Sequence, residues 1–308
     1  MNRRLAVIAA VSLGIALVCG IIAVLTSATD WIDGDYKSWA GSLRGCAAPW
    51  SKKTSSGERR TVDLEWPGSD IIKIKLPAQV HYHPGPVPRA SVSGDADLVS
   101  HVRLRDGVLQ WDTPEWDAQI DCSQASDLVI QLTGPAVSSW TLNGSGELSL
   151  DDIKQDLLRI ALHGSGVVRA SGETRELTLD AAGSGRADLG RLVTQKASAA
   201  IQGSADLKLG DTRQGVLRII MHGSGTVTAS GTAREVSVDA SGSGRADLGR
   251  LVADRASARI HGSADVDLAP RQDADVSVAG SAVVKLHGAA AARIASHVSG
   301  SAQVQQVP

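Results

Sequence analysis

Phenylalanine is absent from this chain, and aromatic residues make up only 3% of its 308 positions. All seven tryptophans (Trp31, Trp39, Trp50, Trp66, Trp111, Trp116 and Trp140) and both tyrosines (Tyr36 and Tyr82) lie before Thr141. A core beyond that point has to be filled by aliphatic side chains. A sugar-stacking platform of the kind polysaccharide-cleaving enzymes use has nothing there to be built from. An excess of either charge is missing too, since 31 Lys and Arg against 33 Asp and Glu leave a net charge of −2. The basic residues alternate with acidic ones and form no stripe, which argues against nucleic acid. Cysteine is scarce: Cys19, Cys46 and Cys122 are all there is. Cys19 falls inside an apolar run. The other two are expected to pair if the compartment is oxidising, and they are too few for a structural metal site.

What the chain has in abundance is a recurring Gly-Ser step. It occurs at Gly144-Ser145, Gly164-Ser165, Gly183-Ser184, Gly203-Ser204, Gly223-Ser224, Gly242-Ser243, Gly262-Ser263, Gly280-Ser281 and Gly300-Ser301, with successive gaps of 20, 19, 20, 20, 19, 20, 18 and 20 residues. A fixed period of this size is the signature of a solenoid. A longer repeat lies on top of it: His163–Leu209 returns 59 residues later as His222–Leu268, with GSGRADLGRLV verbatim in both copies. Three coils were duplicated as a block.

With the glycine as position zero, positions −6, −4 and −2 are aliphatic in coil after coil, as in Leu158/Ile160/Leu162 and Leu217/Ile219/Met221. Positions +4 and +6 are aliphatic as well, as in Leu207/Leu209 and Val266/Leu268, and most of the residues between are polar. Alternation with period two belongs to strands, whereas a helix would repeat its apolar positions every three or four residues. A strand, a glycine corner, a second strand and a polar return fill about 20 residues. Stacked, such coils predict an all-β parallel β-helix in which each turn buries its inner face against its neighbours.

The Gly-Ser pairs are therefore read as structural corners. Glycine at zero faces inward or sits at a bend that needs positive φ. The serines would stack in a column, each hydroxyl able to bond the next. A phosphate loop is excluded, because no Lys-Ser/Thr follows at the required offset. Nor does any step match the Gly-x-Ser-x-Gly of a nucleophile elbow.

Before the repeats the chain has three parts. Residues 1–29 carry Arg3 and Arg4 and then an uncharged run from Leu5 to Thr29, followed by Asp30, Asp33 and Asp35. That pattern is a membrane anchor or a signal peptide with the carboxyl side exported. Anchored, the protein would stand on the periplasmic side of the inner membrane; cleaved, it would belong to the cell envelope. Residues 30–70 read as a spacer with tryptophans and Cys46. Residues 71–141 read as a β section capping the solenoid, with alternation at Ile72, Ile74 and Leu76, a hairpin signal at Asp106-Gly107, and the strand DLVIQLT at Asp127–Thr133. Residues 142–308 are the coils.

The order IKIKLPAQVHYHPGPVPRASVSGDADLVSHVRLRDGVLQW, then DLVIQLTGPAVSSWTLNGSGELSL, then repeated GSG, ADL and GSAD blocks resembles the bacterial family called putative auto-transporter adhesin, head GIN domain. The resemblance runs from about Ile71 to Gln305. It implies a right-handed parallel β-helix and no catalytic residues. The Trp- and Cys-bearing stretch Trp31–Trp66 departs from it.

Candidate chemistry is thin. His163, His222 and His261 share position −1 but lie three and two coils apart, about 14 and 10 Å, too far to hold one metal. His81 and His83 would share a strand face without a third ligand. On the outer columns Arg186 falls beside Asp206, Arg245 beside Asp265, and Arg169, Asp188 and Lys208 follow one another. Asp247 and Asp267 are like charges side by side. No catalytic residue, metal site or cofactor is expected. The reading is a non-enzymatic exported envelope protein, a rigid rod acting as an adhesin-like or scaffold module. Its partner is an envelope protein, a polysaccharide, or its own copy through the C-terminal coil. The alternative is a polysaccharide-active β-helix enzyme.

Overall fold

The computed structural model describes residues 58–113, 127–213, 215–288 and 292–307. The apolar run Leu5–Thr29, Cys46 and Cys122, and with them the anchor and the disulfide expected from the sequence, lie outside the described residues. Among the described residues no helix is long and apolar enough to cross a membrane.

The repeats form long parallel strands. β9 (Glu147–Gly164), β10 (Val167–Gly183) and β11 (Arg186–Gly203) run through whole coils, followed by β12 (Asp206–Leu209) and β13 (Gly215–Gly223). β14 (Thr226–Gly242), β15 (Arg245–Gly262) and β16 (Asp265–Gly280) repeat the pattern, and β17 (Val283–His287), β18 (Arg293–Gly300) and β19 (Gln303–Val307) complete it. Each coil pairs in parallel with the next, β9 with β10, β10 with β11, β14 with β15 and β15 with β16. The protein is a parallel β-helix.

Its register follows the glycines. Gly144, Gly164, Gly183, Gly203, Gly223, Gly242, Gly262, Gly280 and Gly300 are successive ladder partners along one column. All nine have φ between +94° and +141°, where an L side chain is strained. Of the two readings open for this column, the bend is the one observed. A Cβ on Gly183 would also lie 2.5 Å from the carbonyl oxygen of Gly164. What binds one step to the next is backbone: the Ser165 N–H donates to the Gly144 carbonyl at 3.0 Å, and the same bond recurs up to Ser301 on Gly280 at 2.9 Å. Among the described residues no serine hydroxyl of the column bonds its neighbour. The inward small residue is two positions later, glycine at Gly146, Gly166, Gly185, Gly225 and Gly244 and alanine at Ala205, Ala264 and Ala282.

Inward positions carry the core. Leu158, Ile160, Leu162, Leu177, Leu179, Leu217, Ile219, Val236 and Val238 are all buried, as are Val168, Leu189, Leu207, Val227, Leu248 and Val266 on the strand after the corner. Burial of a Leu, Ile or Val contributes about 1.5–3 kcal/mol each. The aromatic residues sit at the other end: Trp140 continues the column of Ile160, and its ring lies 5.1 Å from Tyr82, tilted 56°.

That end is closed by strands of reversed direction. β2 (Ile71–Ile74) pairs in parallel with β8 (Ser139–Gly144), and β3 (Gln79–Pro84) with both β7 (Val129–Gly134) and β9. Beyond them β4 (Arg89–Asp95) runs antiparallel to β7, and β1 (Arg59–Leu64) antiparallel to β4. β5 (Val102–Arg105) and β6 (Val108–Trp111) form the expected hairpin, with Asp106 and Gly107 at φ 49° and 74°. Between β4 and β5 lies a short helix, α1 (Ala96–Val99), capped by the Asp95 carboxylate and adding Leu98 and Val99 to the core. The spacer expected to reach residue 70 gives way earlier, since Arg59–Leu64 is already a strand and Trp66 is buried. Val62 and Leu64 alternate with Thr61 and Asp63, a period-two signal too short to stand out in a basic stretch.

Candidate binding surface

The outer columns place side chains about 4.8 Å apart along the tube. Arg186 reaches Asp206 at 3.3 Å, Arg245 reaches Asp265 at 2.8 Å, and Lys208 reaches Asp188 at 3.5 Å. Arg169 turns from Asp188, its ladder partner, to Glu147 on the preceding coil. On another column Lys196 bonds Glu176 and Arg293 bonds Asp273, each at 2.8 Å. The hydrogen bond and charge of Lys196 hold the Glu176 carboxyl below its usual range. Exposed pairs of this kind contribute little energy.

Asp247 and Asp267 are ladder partners, and Nε2 of His287 lies 3.3 Å from Oδ1 of Asp267. The coil from Gly262 to Gly280 is only 18 residues long, and the His287 ring lies over Gly249, two coils back.

The histidines remain separate. His163 has Nδ1 3.1 Å from Oδ1 of Asn143, and His222 has Nδ1 2.6 Å from Oγ of Ser241. His261 is exposed, with Ser241 and Ala279 as ladder partners. His81 is half-buried and His83 exposed, the latter 3.9 Å from Asp151. Among the described residues no three His, Cys, Asp or Glu side chains gather closely enough to hold a metal. At the hairpin, Asp112 receives Arg103 at 3.2 Å and His101 at 3.1 Å.

Trp66, Trp111 and Trp140 are buried, so none offers its face to a ligand. Tyr82 is buried too, its hydroxyl donating to the Pro135 carbonyl at 2.7 Å. Burial pushes that hydroxyl's pKa up, against a smaller opposing hydrogen bond from the Val137 backbone.

Two grooves mark the outside of the tube. One, about 450 Å³, has Glu235, Arg255, Asp273 and Arg293 on one side and Ser257 and Asp275 on the other. The second, about 240 Å³, lies on the return side of earlier coils, beside a loop that the sequence reading passed over. There Arg213 has φ 43°. Oδ1 of Asp211 accepts from the backbone N–H groups of Arg213 and Thr232, both at 2.9 Å, and from the Thr232 hydroxyl at 3.3 Å. Burial raises the Asp211 pKa, but these bonds and the Arg213 charge outweigh it, and the carboxyl ends below its ordinary value. The one signal in the sequence was length: this coil has two residues more than its counterpart in the second copy of the block.

Residues 70–214 and 190–290 match the sequence family described as putative auto-transporter adhesin, head GIN domain. Among solved structures, a putative adhesin from Parabacteroides distasonis is similar at a TM-score of 0.60 and 16% identity, over 82% of this chain and 98% of that one. A putative adhesin from Parabacteroides merdae is similar at 0.58 and 17%, over 82% and 98%. A putative lipid binding protein from Parabacteroides distasonis is similar at 0.57 and 19%, again over 82% and 98%. At these identities the likeness is one of fold. No curated protein matches the chain in sequence.

Proposed function

From its membership of the head GIN domain family, to which the matched residues assign this chain, we propose that the protein is an exported, non-enzymatic binding module of the cell envelope. The observation that carries this reading is the in-register tube itself. It holds outward side chains on a fixed lattice, with opposite charges paired across coils and no catalytic constellation among the described residues. Such a surface suits recognition of an extended partner better than bond cleavage, which needs unmatched acids and bases at a reacting atom. Residues 1–29 set its place, as an anchor on the periplasmic side of the inner membrane or as a signal whose removal releases it into the envelope.

Three of the tryptophans are packed in the core, so an aromatic contact with a partner falls to Trp31, Trp39, Trp50 or Trp116. Crosslinking of the full-length chain in intact cells, followed by capture, tests this. Partners should be recovered with the whole chain and lost on deletion of residues 31–50 combined with Trp116→Ala, while the coils keep their far-ultraviolet signature. Equal recovery after the combined change would refute it.

A second copy of the chain is a further partner in this reading. Among the described residues β18 and β19 have a ladder partner on one side only. Two β18 strands meeting antiparallel about Ser296 would set Ile294 against Val298 of the other copy and serine against serine. Arg293 would then oppose Ser299, with no like charges facing. Val298 is 46% exposed, and Ser296 replaces an aliphatic of the column that contains Val276 and Val238.

A further inference from the structure

The two copies of the 59-residue block fold on the same coil geometry, which makes each a control for the other. Among their differences is a strip of the return side. Glu173 and Gln195 of the first copy stand where the second has Thr232 and Asp254. Beneath them, Thr174 and Thr194 stand where the second has Ala233 and Ala253. The coil does not require these polar groups, because its duplicate closes without them.

In the first copy they line the 240 Å³ groove. Arg213, on the fourth coil, reaches back across the third to bond Oε1 of Glu173 on the second at 2.7 Å. Arg175 bonds Asp156 at 3.0 Å on the opposite side. Thr174 and Thr194 are 4% exposed at the base, and half-buried Val193 provides an apolar patch between the ion pairs. Lys154 stands beside Glu173 in the ladder, yet that carboxylate is engaged by Arg213, and among the described residues Lys154 makes no ion pair. Three cations therefore face two carboxylates here, on a molecule whose net charge is −2. The aim of Arg213 is fixed by the Asp211 hydrogen bonds that hold its positive φ.

We propose that this groove is a subsite for an acidic saccharide, one or two uronic-acid units of an extended glycan. Guanidinium forks and carboxylates alternate along its walls, and a hydroxyl can satisfy both because it donates and accepts. Val193 and the arginine stems face the C–H side of the ring. Lys154 takes the sugar carboxylate as a point charge. With no aromatic platform the single site is weak, and strength comes from many units of one chain meeting many copies of the protein. This assignment rests on the binding reading above and names its ligand class.

The test is calorimetric titration of the full-length chain in neutral detergent with digalacturonate, and with the neutral galactose disaccharide as comparison. Saturable binding of digalacturonate is expected, at least about tenfold weaker after Lys154→Ala and after Arg213→Ala. Arg271→Ala in the second copy should leave it unchanged, and the neutral sugar should bind less well. Lys154 is exposed and, among the described residues, its side chain makes no ion pair or hydrogen bond, so its variant is the decisive one. No saturable binding, an unchanged Lys154→Ala, or an equal loss in Arg271→Ala would each overturn the assignment. Partner capture depends on residues 31–50 and Trp116 and not on this groove, so either result can fail while the other stands.

Discussion

Single residues carry the fold's strictest demands. At Gly183 both the positive φ and the carbonyl of Gly164 stand against a methyl group. Gly183→Ala should therefore destabilise the protein by about 2–3 kcal/mol, seen as a lower denaturant midpoint. Gly185→Ala should cost less, because Gly185 lacks the positive φ, although a methyl there would still lie 2.7 Å from the Gly166 carbonyl and 2.8 Å from Leu162. Asp211→Ala should cost about 1–2 kcal/mol through its lost backbone bonds. The sign of its pH dependence follows from the lowered pKa. The stabilisation is present above the ordinary carboxylate pKa and is lost as pH falls through the lower folded value, so acid should narrow the gap between variant and parent. Tyr82 behaves oppositely. Its raised pKa means that its share of stability is intact below the ordinary tyrosine value and falls away at higher pH, a loss Tyr82→Phe should not show in alkaline unfolding.

Among the elements, the strands differ in how many neighbours they have. β10 and β15 are paired on both edges along most of their length, whereas β18 and β19 are paired on one. Amide exchange should be fastest in β18 and β19 and slow progressively toward β15; uniform protection along the coils would contradict this. Val298→Lys should abolish any concentration-dependent rise in sedimentation coefficient of the full chain, by burying a charge in the copy-to-copy contact. The coils were legible in the sequence because one rule, alternation around a spaced glycine, repeats nine times and each repeat corroborates the others. The closing strands were harder. β1 offers only Val62 and Leu64 as its alternation, and its partner β4 lies about 30 residues away, a pairing no local pattern announces. The candidate groove was illegible for a related reason. Arg213 and Glu173 are 40 residues apart, and they meet only because the coil between them is one strand thick. Charge columns on adjacent coils could be read from the period, but Arg169 chose Glu147 over Asp188, since either coil offers a carboxylate at similar reach.

For the molecule as a whole, stability is a sum over neighbouring coils more than a property of one central core. Melting should accordingly be broad, with a calorimetric enthalpy exceeding the van't Hoff value; a single sharp two-state transition would count against it. The reversed strands β4 and β5 lie at one end, with β1 antiparallel outside β4, so the plain stack of parallel coils does not continue there. The duplicated block has a consequence of its own. Three coils in register add about 14 Å of length, and because every lap presents the same corner to the next, a further copy could be inserted without redesigning either end. Gene duplication thus works as a gauge of length, extending the tube by whole coils while leaving the strands at either end untouched.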